Sequence, residues 1–212
     1  MFARVISKIL PELRCIRAAG LGICLLVLTG CAVSRPLTNL PDISSWELRQ
    51  DVLRQVDDWG FKGRIAVKAG DDGFNGKFNW TQTGDEFDAR VGGPLGMGTV
   101  RVAGDDRSIV LTDKDGVKTR LTDPETELMI RYGWTIPVAS LRFWALGIPD
   151  PALPADTKFD EAGRLVHLEQ SNWIVTISRY RESAGQQMPR TLTASNPDTR
   201  VRMVIDKWSF YK

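Results

Sequence analysis

The spacing of hydrophobic positions changes along the chain, and each change predicts a different element. Ser44 with Glu47 three residues later is a capping-box pattern, and Trp46, Val52, Leu53, Val56 and Trp59 then recur near one helical face, so a first helix is expected there. From Phe61 the period becomes two. Phe61, Gly63, Ile65 and Val67 alternate with Lys62, Arg64, Ala66 and Lys68, and Phe74, Gly76, Phe78 and Trp80 alternate with Asn75, Lys77, Asn79 and Thr81. The same period runs through Phe87, Ala89 and Val91, then Val100 and Val102, then Ile109 and Leu111. Gly-Asp-rich turns separate these runs, and connections this short imply an antiparallel meander. Asp123-Pro124 reads as an N-cap and first helical position, leading into a short amphipathic helix through Leu128, Met129, Tyr132 and Trp134 and ending at Gly133. A second short helix follows Pro137 and closes at Gly147-Ile148-Pro149. After a proline-rich connection, strand patterns return at Leu165–Leu168, Trp173–Ile177, Leu192 and Val201–Trp208. Strands, a helical insertion and strands again describe an α+β domain whose sheet curls around helices laid on its concave face.

The first thirty residues belong to a different pattern. Arg4, Lys8, Arg14 and Arg17 precede an apolar run from Ala18 to Leu28, which is too short for a stable transmembrane helix and has the form of a signal peptide. The run ends in Leu28-Thr29-Gly30-Cys31, which resembles the bacterial lipobox: the cysteine is diacylglycerol-modified, the leader is removed and the new amino terminus is acylated. The expected division is therefore a cleaved leader over 1–30, a lipidated N-terminus and tether over 31–43, which holds two prolines and no consistent period, and a folded domain over 44–212.

Removing the leader takes away four basic residues and one acidic one, which turns the formal net charge from +2 into −1. A nearly neutral domain without a polybasic run offers no electrostatic footprint for nucleic acid and no run of charge to hold anionic lipid. Anchoring is expected to come from acyl chains at about 0.8 kcal/mol per buried methylene. Cys15 and Cys24 leave with the leader and Cys31 is taken by lipid, so no thiol remains for a disulfide, a metal or a nucleophile.

The residues give little support to catalysis, a cofactor or a metal. His167 is the single histidine and sits in a strand pattern, where a solvent-facing position is expected. Asp71-Asp72 and Asp105-Asp106 lie in turn sequences that favour aspartate for its own backbone hydrogen bonds. No Gly-x-Ser-x-Gly elbow or His-Glu-x-x-His helix occurs. The glycine-rich stretch from Gly92 to Thr99 lacks a phosphate-binding register. It offers Leu95 and Met97 at a turn, where polar groups are usual, which is read either as a loop folded back into the core or as a hydrophobic finger that touches lipid.

Trp59-Gly60-Phe61-Lys62-Gly63-Arg64-Ile65-Ala66, Phe78-Asn79-Trp80-Thr81-Gln82-Thr83-Gly84, Gly93-Pro94-Leu95-Gly96, Ile136-Pro137 with Leu141, Trp144, Gly147 and Pro149, Gly163-Arg164-Leu165, Asn172-Trp173, Met188-Pro189 and Ile205-Asp206-Lys207-Trp208 follow one another in an order that resembles the LolB family of outer-membrane lipoprotein receptors. The resemblance implies an open antiparallel β half-barrel with an α-helical lid over an apolar cavity. It also implies a non-enzymatic function: acyl chains of acylated lipoprotein cargo are accepted from the periplasmic carrier LolA and inserted into outer-membrane lipid. The family's protruding leucine maps onto Leu95, with Gly93, Pro94 and Gly96 shaping the finger. Ala32 and Val33 after Cys31 are not the aspartate of the bacterial retention rule, so a lipid-anchored place in the outer membrane, facing the periplasm, is expected, as is a monomer. Alternation nominates Phe61, Ile65, Phe78, Trp80, Phe87, Trp173 and Trp208 on the sheet, with Leu141 and Trp144 on the helices, as cavity lining. The competing classes are a lipid-anchored scaffold of an envelope machine, which needs no cavity, and an envelope hydrolase, for which histidine and thiols are scarce.

Overall fold

The computed structural model describes residues 35–93, 99–132 and 135–212. The leader, Cys31, and Pro94, Leu95 and Gly96 of the expected insertion loop lie outside the described residues, as do Gly133 and Trp134. After helix α1 (Trp46–Arg54), six strands follow in a meander: β1 (Asp58–Ala69), β2 (Asp72–Thr83), β3 (Glu86–Gly92), β4 (Val100–Gly104), β5 (Ile109–Thr112) and β6 (Lys118–Leu121). Helices α2 (Pro124–Tyr132) and α3 (Val138–Leu146) lead to a second meander of β7 (Asp156–Phe159), β8 (Leu165–Gln170), β9 (Trp173–Ser183), β10 (Gln186–Ser195) and β11 (Thr199–Phe210). The last strand returns to pair with the first, so all eleven form one sheet in the order β6-β5-β4-β3-β2-β1-β11-β10-β9-β8-β7. This mostly β, open antiparallel sheet is consistent with a half-barrel.

The order explains the helices. Strands β6 and β7 are opposite edges, so the chain between them has to cross the sheet, and a helix satisfies its own backbone groups along such a path. Asp123 Oδ1 accepts from Thr126 N at 3.3 Å and Glu127 Oε1 accepts from Thr122 N at 2.8 Å, which starts α2 where the sequence predicts. Helix α3 ends at Gly147 in the left-handed conformation (φ 77°), with its N–H and that of Ile148 returning to carbonyls of the last turn. The cap of α1 is one residue later than expected: Ser45 Oγ accepts from Leu48 N at 3.2 Å, whereas Ser44 bonds Asp42.

Strand alternation holds until a bulge resets it. Odd residues of β1 face the core from Trp59 to Val67. In β11 the buried set is Val201, Met203 and Ile205 but then Trp208 and Phe210, because the pairing slips between Lys62 and Gly63 and leaves Asp206 as an extra residue. Gly63 sits at the slip, where a Cβ would collide with the Val204 carbonyl. A second slip, opposite Val166, lets Leu165 and Leu168 both turn inward and leaves His167 half-buried with its ring against Glu169 at 2.9 Å.

The stretch expected as a tether is instead packed from residue 35 onward. Arg35 and Leu37 bond the end of β11, Leu40 N donates to the Ala184 carbonyl at 2.9 Å, and Leu40 and Ile43 are buried. Two leucines and an isoleucine among the prolines supply the apolar surface that holds this segment down. Residues Arg35–Lys212 form one compact unit that contains the whole described core, so a chain beginning at Arg35 carries every described element of the fold.

Candidate functional site

Side chains on the inner face of the first meander do not close on one another. They leave a pocket of about 470 Å³, within the range of about 300–1,000 Å³ common for small-molecule sites. Ile65 of β1, Phe78 and Trp80 of β2, and Phe87, Ala89 and Val91 of β3 form its floor. Val102 and Leu111 continue it, and Ile136, Val138 and Leu141 oppose it from the helical segment. Phe74, 38 % exposed, stands at the mouth. The wall is mostly hydrocarbon, with Asn75 and Asp113 its polar members, and the Trp80 indole is already paired: Nε1 donates to Gln82 Oε1 at 3.1 Å, and Gln82 Nε2 donates to the Gly84 carbonyl at 2.8 Å. Trp80 also stacks on Phe87 at 4.7 Å and 12°, an arrangement that keeps both rings flat against the floor.

Of the nominated lining, Ile65, Phe78, Trp80, Phe87 and Leu141 border this pocket, while Phe61, Trp144, Trp173 and Trp208 lie away from it. Phe61 is enclosed by Phe78 at 5.4 Å and Trp208 at 5.3 Å, and Trp208 gives its indole N–H to the Pro189 carbonyl at 3.0 Å. Trp144 meets Trp173 at 6.0 Å under α3. Phe61, Trp144 and Trp208 are buried among their neighbours, whereas Trp173 borders other clefts, beside Pro154 and Asn172 and beside Pro151 and Leu153, away from the first-meander pocket. Period alone separates inside from outside and not packed from empty.

Helix α3 is held by polar bonds over the second meander. Trp144 Nε1 donates to Gln170 Oε1 at 2.9 Å, an oxygen that also accepts from Asp150 N at 3.0 Å. Gln170 Nε2 donates to the carbonyls of Asp150 and Leu153, and Ser140 Oγ donates to Asp150 Oδ2 at 2.8 Å. At the other end, Arg49 of α1 donates Nη2 to the Leu146 carbonyl and Nη1 to the Gln187 carbonyl, both at 2.9 Å. A cation there also suits the negative end of the helix. Arg49 is 3 % exposed, and burial holds its guanidinium below the ordinary arginine range, opposed by the nearby Tyr180. Burial also pushes the Tyr180 hydroxyl up to about 12. Sequence reading missed Arg49, since an arginine between helical polar positions gives no sign of being inside.

A family model described as "Outer membrane lipoprotein LolB" matches residues 57–208. The chain belongs to the LolB family. The LolB of Nitrosococcus oceani is 34 % identical over 186 residues, covering 87 % of this chain and 92 % of that one. The LolB of Pseudomonas syringae pv. syringae is 32 % identical over 185 residues, covering 86 % and 90 %. Among solved structures, a DUF1329 family protein from Desulfovibrio piger superposes with a TM-score of 0.52 at 7 % identity, covering 77 % of this chain and 89 % of that one. A putative outer membrane lipoprotein-sorting protein domain from Vibrio parahaemolyticus gives 0.51 at 8 %, with the same coverage. The structural likenesses bear on fold alone, whereas the LolB relatives align through the pocket-forming strands. No helix among the described residues is long and apolar enough to cross a membrane.

Proposed function

We propose that this chain is an outer-membrane lipoprotein that receives the acyl chains of newly made lipoproteins from the carrier LolA, shelters them in the apolar pocket and releases them into the membrane, with no bond made or broken. The observation that carries the reading is the pocket itself, lined by hydrocarbon from five strands and opposed by Ile136, Val138 and Leu141, in a member of the LolB family. The segment with α2 and α3 acts as a lid over it. Each acyl methylene left in water costs about 0.8 kcal/mol, so a chain of ordinary length needs such a shelter to cross an aqueous space. Transfer runs downhill if each station binds more tightly than the one before, which requires no nucleotide. Cys31 carries the lipid that fixes the protein to the membrane, facing the periplasm, and Leu95 touches the bilayer when cargo is released.

The test is uptake of a fluorescent fatty-acid probe and of acylated lipoprotein from LolA by a chain beginning at Arg35. Saturable uptake, displaced by palmitate, is expected, and absence of both kinds of uptake overturns the receptor reading. Leu95→Glu in the full chain is expected to accept cargo and fail to insert it. Normal insertion by that variant removes the role of Leu95 and leaves the pocket standing.

A further inference from the structure

The outer face of the sheet gathers positive charge that is scattered in the sequence. The register aligns Lys77 of β2 with Arg64 of β1, Arg64 with Val204 of β11, Val204 with Thr191 of β10, and Thr191 with Arg179 of β9. One cross-strand row therefore carries Lys77, Arg64 and Arg179 over roughly 19 Å at about 4.8 Å per strand. Arg202 stands on the same face two residues from Val204. Arg190 joins the cluster because the pairing of β10 with β9 slips between Pro189 and Thr191. Ala66, Gly76, Thr191 and Val204 are too small to fill the space between these side chains, and a groove of about 530 Å³ results.

Charge compensation differs sharply from that of neighbouring strands. Asp88 of β3 takes hydrogen bonds from both Arg90 and Arg101; burial raises its carboxyl, but the two guanidinium groups outweigh this and leave it below the ordinary range. In the groove, Arg64 meets Asp206 at 3.4 Å with both side chains largely exposed, while Lys77, Arg179, Arg190 and Arg202 form no ion pair with any described residue. Apart from Asp206, which reaches Arg64 from beside the groove, no carboxylate meets these cations among the described residues.

We propose that this groove binds the phosphate of anionic phospholipid headgroups and so docks the outer face of the sheet on a charged bilayer. Arginine forks match phosphate oxygens two at a time, and five cations spread over five strands can meet several headgroups at once. An acidic protein partner is less well served, because protein interfaces depend on buried aromatic anchors and no aromatic side chain lines the groove among the described residues. Ile65, Asn75 and Gly93 border both this groove and the apolar pocket. The hydrocarbon and phosphate parts of an amphiphile thus have adjoining sites. The inference does not rest on acyl-chain transfer, since headgroup docking needs only the outer face.

The experiment is flotation of a chain beginning at Arg35 with vesicles of phosphatidylcholine alone and of phosphatidylcholine mixed with phosphatidylglycerol. Binding is expected to the mixed vesicles and to weaken with salt. The combined Arg179→Gln, Arg190→Gln and Arg202→Gln variant is expected to lose about fivefold per charge, over a hundredfold in all. Lys118→Gln, Arg120→Gln and Lys158→Gln remove the same net charge elsewhere and should leave binding within about twofold of the parent, while circular dichroism confirms that both variants fold. Poly-glutamate serves as the acidic-polypeptide probe; equal binding to neutral vesicles, equal loss in the two triple variants, or a groove variant that loses poly-glutamate binding with vesicle binding intact would each overturn the proposal. Fatty-acid uptake by the groove variant should stay at the parent level, so failure of the docking surface and failure of the pocket give different results.

Discussion

The two meanders share one sheet and one helical cover, yet they treat α3 in opposite ways. Over β8 to β10 the helix is fastened by Gln170, Asp150 and Arg49 through bonds of 2.8–3.0 Å, and the inward side chains of these strands, Val175, Ile177 and Leu192, are at most 2 % exposed. Over β2 to β5 the same segment offers Ile136, Val138 and Leu141, with a single ion pair from Arg142 to the exposed Asp85 of the β2–β3 turn at 3.2 Å, and empty space lies between the three apolar side chains and the aromatic floor. Directional bonds hold a helix in one place, while bare hydrocarbon contact can be exchanged for contact with another chain at little cost. One half of the molecule is therefore a mount and the other a receptacle.

The largest effect is expected where the mount is cut. Gln170→Leu strands the Trp144 indole N–H and the Asp150 N–H in a buried site, and urea unfolding should show a loss of about 4 kcal/mol at roughly 1–3 kcal/mol per orphaned group. Overfilling separates the halves next. Ala194→Trp, at a position 1 % exposed in β10, should cost about 3 kcal/mol, whereas Val102→Trp in the pocket wall should cost about 1 kcal/mol or less and reduce fatty-acid probe affinity about tenfold. Equal destabilisation at both sites would erase the distinction between packed and empty halves. The smallest effect concerns Tyr180, whose hydroxyl donates to the Leu165 carbonyl at 2.7 Å. Its ionisation is raised in the fold to about 12, so the stability it contributes is complete below the ordinary tyrosine value and lost as pH rises through the folded one. Alkaline unfolding curves should fall less steeply for Tyr180→Phe than for the parent in that window.

Much of this fold was legible in the chain. Period-two runs such as Phe61, Ile65 and Val67 give β1 its inner face, and Asp123-Pro124 and Gly147 mark where helices begin and end. Bulges were not legible, because an extra residue such as Asp206 has no sequence signature and yet reverses every inward position beyond it. The packed leucines of the expected tether were hidden by the prolines around them. The pocket was half legible: alternation placed Trp80, Phe87, Trp173 and Trp208 inside, but only three-dimensional packing shows that the first two border the apolar pocket and the last two do not. The basic groove was invisible to a search for charged runs, since its five cations span positions 64 to 202 and meet only through strand register.

Intermolecular nuclear Overhauser contacts between a methyl-labelled chain beginning at Arg35 and bound palmitate test the central claim most directly. Contacts to the methyls of Ile65, Val102, Leu111 and Leu141, with none to Val175, Ile177 or Leu192, are the expected result. Palmitate found against the second set, or in contact with neither, would contradict the assignment of the first meander as the receptacle.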